Sequence, residues 1–134
     1  MAITTAFKNG ALDHILDGDV YHASTDVMKV VFHTQTADPA SSFPSIHSTQ
    51  HEAIPFGAAS NAAISNSGTV EVANVQSSNW GGSSVTWISL HKCAASGTTP
   101  SSSDLVISIN VTDQAFNDGD TVRISATDVE VSIT

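Results

Sequence analysis

The chain has 134 residues, with four Lys plus Arg against 13 Asp plus Glu and a formal charge of −9. That length supplies one ordinary domain, residues 1–134, with a core that stands without staples, and the charge argues against nucleic acid or an anionic membrane surface as a partner. The lone cysteine, Cys93, makes no internal disulfide, no apolar run approaches the roughly 20 residues of a membrane span, and Met1 to Gly10 lacks a signal-peptide layout, so no cleaved leader is expected.

From Thr4 to Leu16 the apolar residues Ala6, Phe7, Ala11, Leu12, Ile15 and Leu16 recur three and four apart, which predicts a short amphipathic helix over about 4–17. Thr4 or Thr5 suits its N-cap and Gly18 its exit. Asp17, Gly18 and Asp19 then punctuate the chain before a first core strand over 27–34, Val-Met-Lys-Val-Val-Phe-His-Thr. Residues 35–60 carry Pro39, Pro44 and Pro55 among serines, which predicts a long loop. Loops of that length inside a compact domain are usually functional or ordered by a partner.

The remainder, 70–134, reads as β. Val70-Glu71-Val72 alternates, Val85 to His91 is apolar on both faces, and Leu105, Ile107, Ile109 and Val111 alternate with Val106, Ser108 and Asn110. Asn117-Asp118-Gly119-Asp120 has the composition of a hairpin turn before Val122 and Ile124, and Val129, Val131 and Ile133 close the chain. Strands about ten residues apart, joined by Gly, Ser, Asn and Asp, predict a mainly β fold. The expected architecture is an antiparallel β-sandwich or small barrel with one short N-terminal α-helix.

Charged residues are only 13%, about half the usual share, while 20 Ser and 14 Thr supply much of the surface. Weakly charged Ser/Thr faces suit strands that pack sideways on neighbours, so assembly is expected. Candidate chemistry is thin beside that expectation. His47 and His51, four apart beside Glu52, have ligand character, but the prolines on either side argue against helical spacing and favour surface or interface histidines. His14, His22, His33 and His91 have no Ser or Cys nucleophile at a recognisable spacing. Cys93 beside Lys92 reads as a structural cysteine, and Asp118 with Asp120 as turn residues, not a calcium loop. Trp80 and Trp87 offer a sugar platform, although core and cover is the plainer reading. No cofactor or metal site is expected.

Several phrases in order carry a resemblance. They are Ile3 to Asn9 (Ile-Thr-Thr-Ala-Phe-Lys-Asn), Leu12-Asp13-His14-Ile15-Leu16, Val31-Phe32-His33-Thr34 with Ala37-Asp38-Pro39, and Ile54-Pro55-Phe56-Gly57-Ala58-Ala59-Ser60. Ala62-Ala63-Ile64-Ser65-Asn66-Ser67, Asn79-Trp80-Gly81, Val85 to Leu90 and Phe116-Asn117-Asp118-Gly119-Asp120 follow. Over nearly its full length the chain resembles small virion proteins of tailed bacteriophages, of the tail fibre-like and head decoration kind. It departs from them in the loop 40–53, where Phe43, Ile46, His47 and His51 replace an expected shorter, Gly-rich stretch.

The resemblance implies a non-enzymatic structural module assembled in the host cytoplasm. The leading expectation is a decoration or cement subunit on the head, a homo-oligomer such as a trimer, touching the major capsid protein or other virion proteins. The alternative is a tail or baseplate fibre-like component that binds a host-surface glycan. A carbohydrate-active enzyme or lectin is a third reading, resting on the two Trp alone. Candidate contact residues are Phe7, Leu12 and Ile15 of the helix, Phe43, Ile46, His47 and His51 of the loop, and Trp80 and Trp87 as anchors.

Overall fold

A computed structural model describes residues 4–13, 16, 26–40 and 43–132. Helix α1 runs Thr5–Leu12, and the Thr4 hydroxyl accepts from the Phe7 N–H at its start. Ile15, His14, Asp17, Gly18, Asp19 and His22 lie outside the described residues, as does the end of the expected last strand at Ile133. Leu12 and Leu16 enter the core. On the polar side of α1, Asn9 and Asp13 accept from the backbone N–H groups of Ala62 and Ala59, tying the helix to the chain before β3.

The eight strands among the described residues are β1 (Val27–His33), β2 (His51–Ala53), β3 (Ala63–Ser65), β4 (Val70–Val72), β5 (Ser84–Cys93), β6 (Leu105–Ala115), β7 (Val122–Ile124) and β8 (Glu130–Ser132). The first layer is an antiparallel sheet in the order β2-β1-β5-β6. Facing it are two antiparallel ribbons, β3–β8 and β4–β7, the latter carrying a cross-strand pair between Glu71 and Arg123. The molecule is therefore a mainly β, sandwich-like fold with one short N-terminal helix.

Between the layers lie Met28, Val30 and Phe32 of β1, Val85 and Leu90 of β5, and Ile54, Phe56, Ile64, Val70, Val75, Phe116, Ile124 and Val129. Trp80 ends the single-turn helix α2 (Ser77–Trp80), stacks on Phe32 at 6.1 Å and meets Phe116 edge-on at 5.3 Å. The chain leaves this turn through Gly81 at φ +75°, where a side chain would be strained and would strike Gln35. Asn66 buckles the ribbons together: its amide donates to the carbonyls of Gly68 and Ser125 and accepts from the Val129 N–H.

Two expectations need correction. Residues 117–120 do form a turn, since the Asp120 N–H reaches the Asn117 carbonyl and the Asp120 carboxylate accepts from the Asn117 N–H. It is not a hairpin, however, because β6 pairs with β5 and β7 with β4, so the turn carries the chain from one layer to the other. The segment 35–60 is not all loop either. His51–Ala53 extends the sheet as β2, and residues 43–50 fold back over its outer face. β1 is buried on both faces, and such a strand must be covered twice.

Candidate functional site

Two places in this fold collect polar or exposed apolar groups in an unusual way: the outer face of the four-stranded sheet, and the seam where its edge strand meets the ribbons.

The first follows from strand register. Val31 lies opposite both His51 and Ser89, Lys29 opposite His91, and Ser89 opposite Ser108, so these side chains share the face turned away from the core. There His33 Nε2 lies 2.6 Å from Ser89 Oγ, Ser89 Oγ 2.7 Å from His91 Nε2, and His91 Nδ1 2.9 Å from the Ser101 carbonyl. The last bond fixes the protons. A carbonyl only accepts, so His91 carries its proton on Nδ1 and, when neutral, accepts at Nε2 from the Ser89 hydroxyl. Ser89 in turn accepts from a proton on His33 Nε2.

Both rings are held neutral. Burial and the neighbouring His91 lower the His33 pKa from 6.5 to about 4. The His91 pKa is also lowered, chiefly by burial, which outweighs the raising effects of the Ser101 bond and Asp104. Phe43 roofs the pair, meeting His33 edge-on at 5.3 Å and His91 at 5.7 Å. Asp104 accepts from the Ser101 N–H and hydroxyl and so positions the carbonyl at the end of the relay. Beside it Lys29 donates to the Thr98 carbonyl at 2.6 Å, and Cys93 is fully buried, its thiol pKa raised first by burial and then by Asp104. Ser89 is 1% exposed and commits its proton to His91. In this arrangement the cluster pins the segments around Phe43 and Ser101 to the sheet, with the Ser89 hydroxyl buried beneath them.

The second place is the seam. Among the described residues β6 pairs only with β5, so its other side has no strand partner over 11 residues whose single charged member is Asp113, while the Ser108 hydroxyl donates to the Ala37 carbonyl on the outer face. Ile109 and Val106 are 36% and 39% exposed there. Next to this edge a cleft of about 470 Å³ opens between the layers. Core residues Phe32, Val85, Phe116 and Val129 form its floor, Val111 and Val122 its walls, and Asp120, Arg123 and Asp128 its polar rim.

The expected contact residues distribute unevenly. Phe7 is 68% exposed on α1 and available, whereas Leu12 is buried in the core because it sits on the inward face of that helix. Phe43 is turned inward over the histidines, and Ile46 is half-buried beside a notch bounded by Pro44, Pro100 and Ser102. His47 is exposed and bonds locally to Thr49. His51 lies on β2 at the sheet, its pKa lowered by burial first and by Lys29 second. Trp87 is half-buried on β5. Trp80 is 3% exposed, with its indole N–H on Thr49, so it anchors the core and not a partner, and it supplies no exposed sugar platform.

Asp118 and Asp120 are spent on separate bonds, Asp118 accepting from the N–H of Ser77 at the start of α2 and Asp120 from that of Asn117 within the turn. Among the described residues no three His, Cys, Asp or Glu side chains come together as a metal-binding group. His33, Ser89, His91 and Ile109 were not singled out by spacing, because only the β1–β5–β6 register brings them to one face or one edge.

Compared with known proteins, the chain matches no family model, no curated protein and no solved structure.

Proposed function

We propose that this chain is a non-enzymatic structural protein of a tailed-bacteriophage virion, a decoration or cement subunit that works as a homo-oligomer on the head shell. The observation that carries the reading is the seam: a long, nearly uncharged strand edge with exposed Ile109 beside an open cleft floored by core side chains. Proteins that act alone usually blunt such an edge with charge or cover it. The phrase order that resembles small virion proteins and the weakly charged Ser/Thr surface point the same way. The buried His33–Ser89–His91 relay fits a stiffened sheet more readily than a reaction centre, since rigid parts suit repetitive assembly.

Quantitative mass spectrometry of purified particles from the phage encoding the chain tests this. A decoration subunit is expected at many copies, in fixed proportion to the major capsid protein, and particles made without it should lose heat resistance. A few copies per particle would move the chain to the tail or baseplate, and its absence from particles would overturn the virion reading.

A further inference from the structure

We infer that a second copy of this chain pairs with β6 edge to edge, antiparallel, about a two-fold axis through Ile109 that joins two four-stranded sheets into one. This deepens the assembly reading above by naming its contact.

The register argues for a copy of the same strand. A two-fold axis between antiparallel edge strands must stand perpendicular to the sheet, so each side chain stays on its own face and one residue pairs with itself. With Ile109 on the axis, Ile107 faces Val111 and Ser108 faces Asn110, apolar against apolar and polar against polar. Asp113, the one charge on the strand, lies beyond the regular stretch and away from its own twin.

The same placement addresses the cleft. Ile107, Ile109 and Val111 lie on the core-side face, since Ile107 opposes Leu90 and Ile109 opposes Ile88. Val111 is also a wall of the cleft, so Ile107 of the second copy arrives at its mouth. The register between β5 and β6 is regular from Ile107 to Asn110 and shifts on either side of that stretch. These irregularities flank the axis and limit the length of pairing.

The affinity expected is modest. Pairing from Ile107 to Val111, at about 3.4 Å per residue, gives a strip of about 17 Å, which with the cleft mouth falls well below the roughly 800 Å² each partner gives a standard interface. Each copy also carries −9. The pair should therefore form with rising concentration and strengthen when salt screens the repulsion. On a particle, many such weak contacts act together.

Sedimentation of the purified chain from micromolar to near-millimolar concentration, at low and high salt, is the test. The wild type should pass from monomer to dimer, more readily at high salt. Ile109→Lys and Ile109→Glu, changes at an exposed position, should each stay monomeric with an unchanged thermal melt. Mixed in equal amounts they should dimerise again, because the axis sets residue 109 against itself. Ile109→Cys gives an independent reading: under oxidation it should cross-link to itself, while Val106→Cys should cross-link poorly. A wild type that stays monomeric throughout, a dimer undiminished in both charged variants, or a mixture that fails to recover would each overturn the inference. Virion composition tests the function separately, so loss of this contact and loss of the virion reading give different results.

Discussion

Acidification from pH 7 to pH 5 should destabilise the fold through His33, and the size of the effect follows from the relay. In the unfolded chain this imidazole takes up a proton below about 6.5, whereas in the folded protein it resists protonation until about 4. Between those values the unfolded state binds more protons, so stability is intact above 6.5 and is lost as pH falls toward 4. At about 1.4 kcal/mol per pH unit the full loss is about 3 kcal/mol, of which about 2 kcal/mol has gone by pH 5. His91 adds to it in the same direction. For His33 the cause is burial of the charge beside His91; for His91, a proton on Nε2 replaces the acceptor that Ser89 needs with a donor and leaves the serine hydrogen without its partner.

Lowering the pH also reduces the −9 charge and so relieves repulsion, which is why a variant must serve as reference. His33→Phe keeps an aromatic ring against Phe43 while removing the titrating group. Urea melts at pH 7 and pH 5 should show His33→Phe weaker by about 1–2 kcal/mol at pH 7 for the lost bond to Ser89. Its further loss on going to pH 5 should be smaller than that of the wild type by about 2 kcal/mol. Titration of the imidazole signals by NMR reads the same event directly. A variant that loses as much as the wild type, or a His33 that titrates near 6.5, would refute the assignment.

Other expectations follow from local geometry. Ala62 sits at φ 63° in the turn between Ser60 and Ala63, a left-handed conformation that a Cβ disfavours, so Ala62→Gly should raise stability by up to about 1 kcal/mol in thermal melts. Asn66→Asp, nearly isosteric, sets a carboxylate oxygen against the carbonyls of Gly68 and Ser125 and should cost at least about 2 kcal/mol at pH 7. Thr49→Val removes the acceptor for the Trp80 indole and should cost about 1 kcal/mol with a shift in tryptophan emission. Cys93 should react with a thiol reagent only as fast as the chain opens, so its labelling rate should rise in step with urea; rapid labelling of the native protein would contradict its burial.

Strand existence was legible in the sequence where the apolar pattern ran long. β1, β5 and β6 lie where Val27 to Thr34, Val85 to His91 and Leu105 to Val111 predict them, because a β-branched, apolar stretch of seven or more residues suits a pleated strand far better than a helix or a loop. The three-residue strand β2 was hidden by its own content: His51, Glu52 and Ala53 have no apolar alternation, and their pairing to β1 depends on long-range register. The hairpin expected at Asn117–Asp120 failed for a related reason. Turn chemistry fixes a change of direction, but which strand receives the chain depends on packing between layers. Trp80 shows the limit for single residues: its neighbours Asn79 and Gly81 suggest a loop corner, while contacts with Phe32 and Phe116, distant in sequence, bury it.

The polar cluster has a further consequence for the edge strand. A slip of one residue between β1 and β5 would turn Ile88 and Leu90 under the Phe43 roof and drive Ser89 and His91 into the apolar core, stranding three hydrogen-bonding side chains. The relay therefore penalises the wrong register more than it rewards the right one, a role that an all-apolar outer face would not fill. β6 takes its own alignment from β5, and Ser108 binds the Ala37 carbonyl on that same outer face. Fixing β5 thus fixes which side chains β6 presents at the open edge. If Ile109 is the axis of pairing, the histidines at the far side of the sheet determine that it is Ile109, and not a polar neighbour, that stands there.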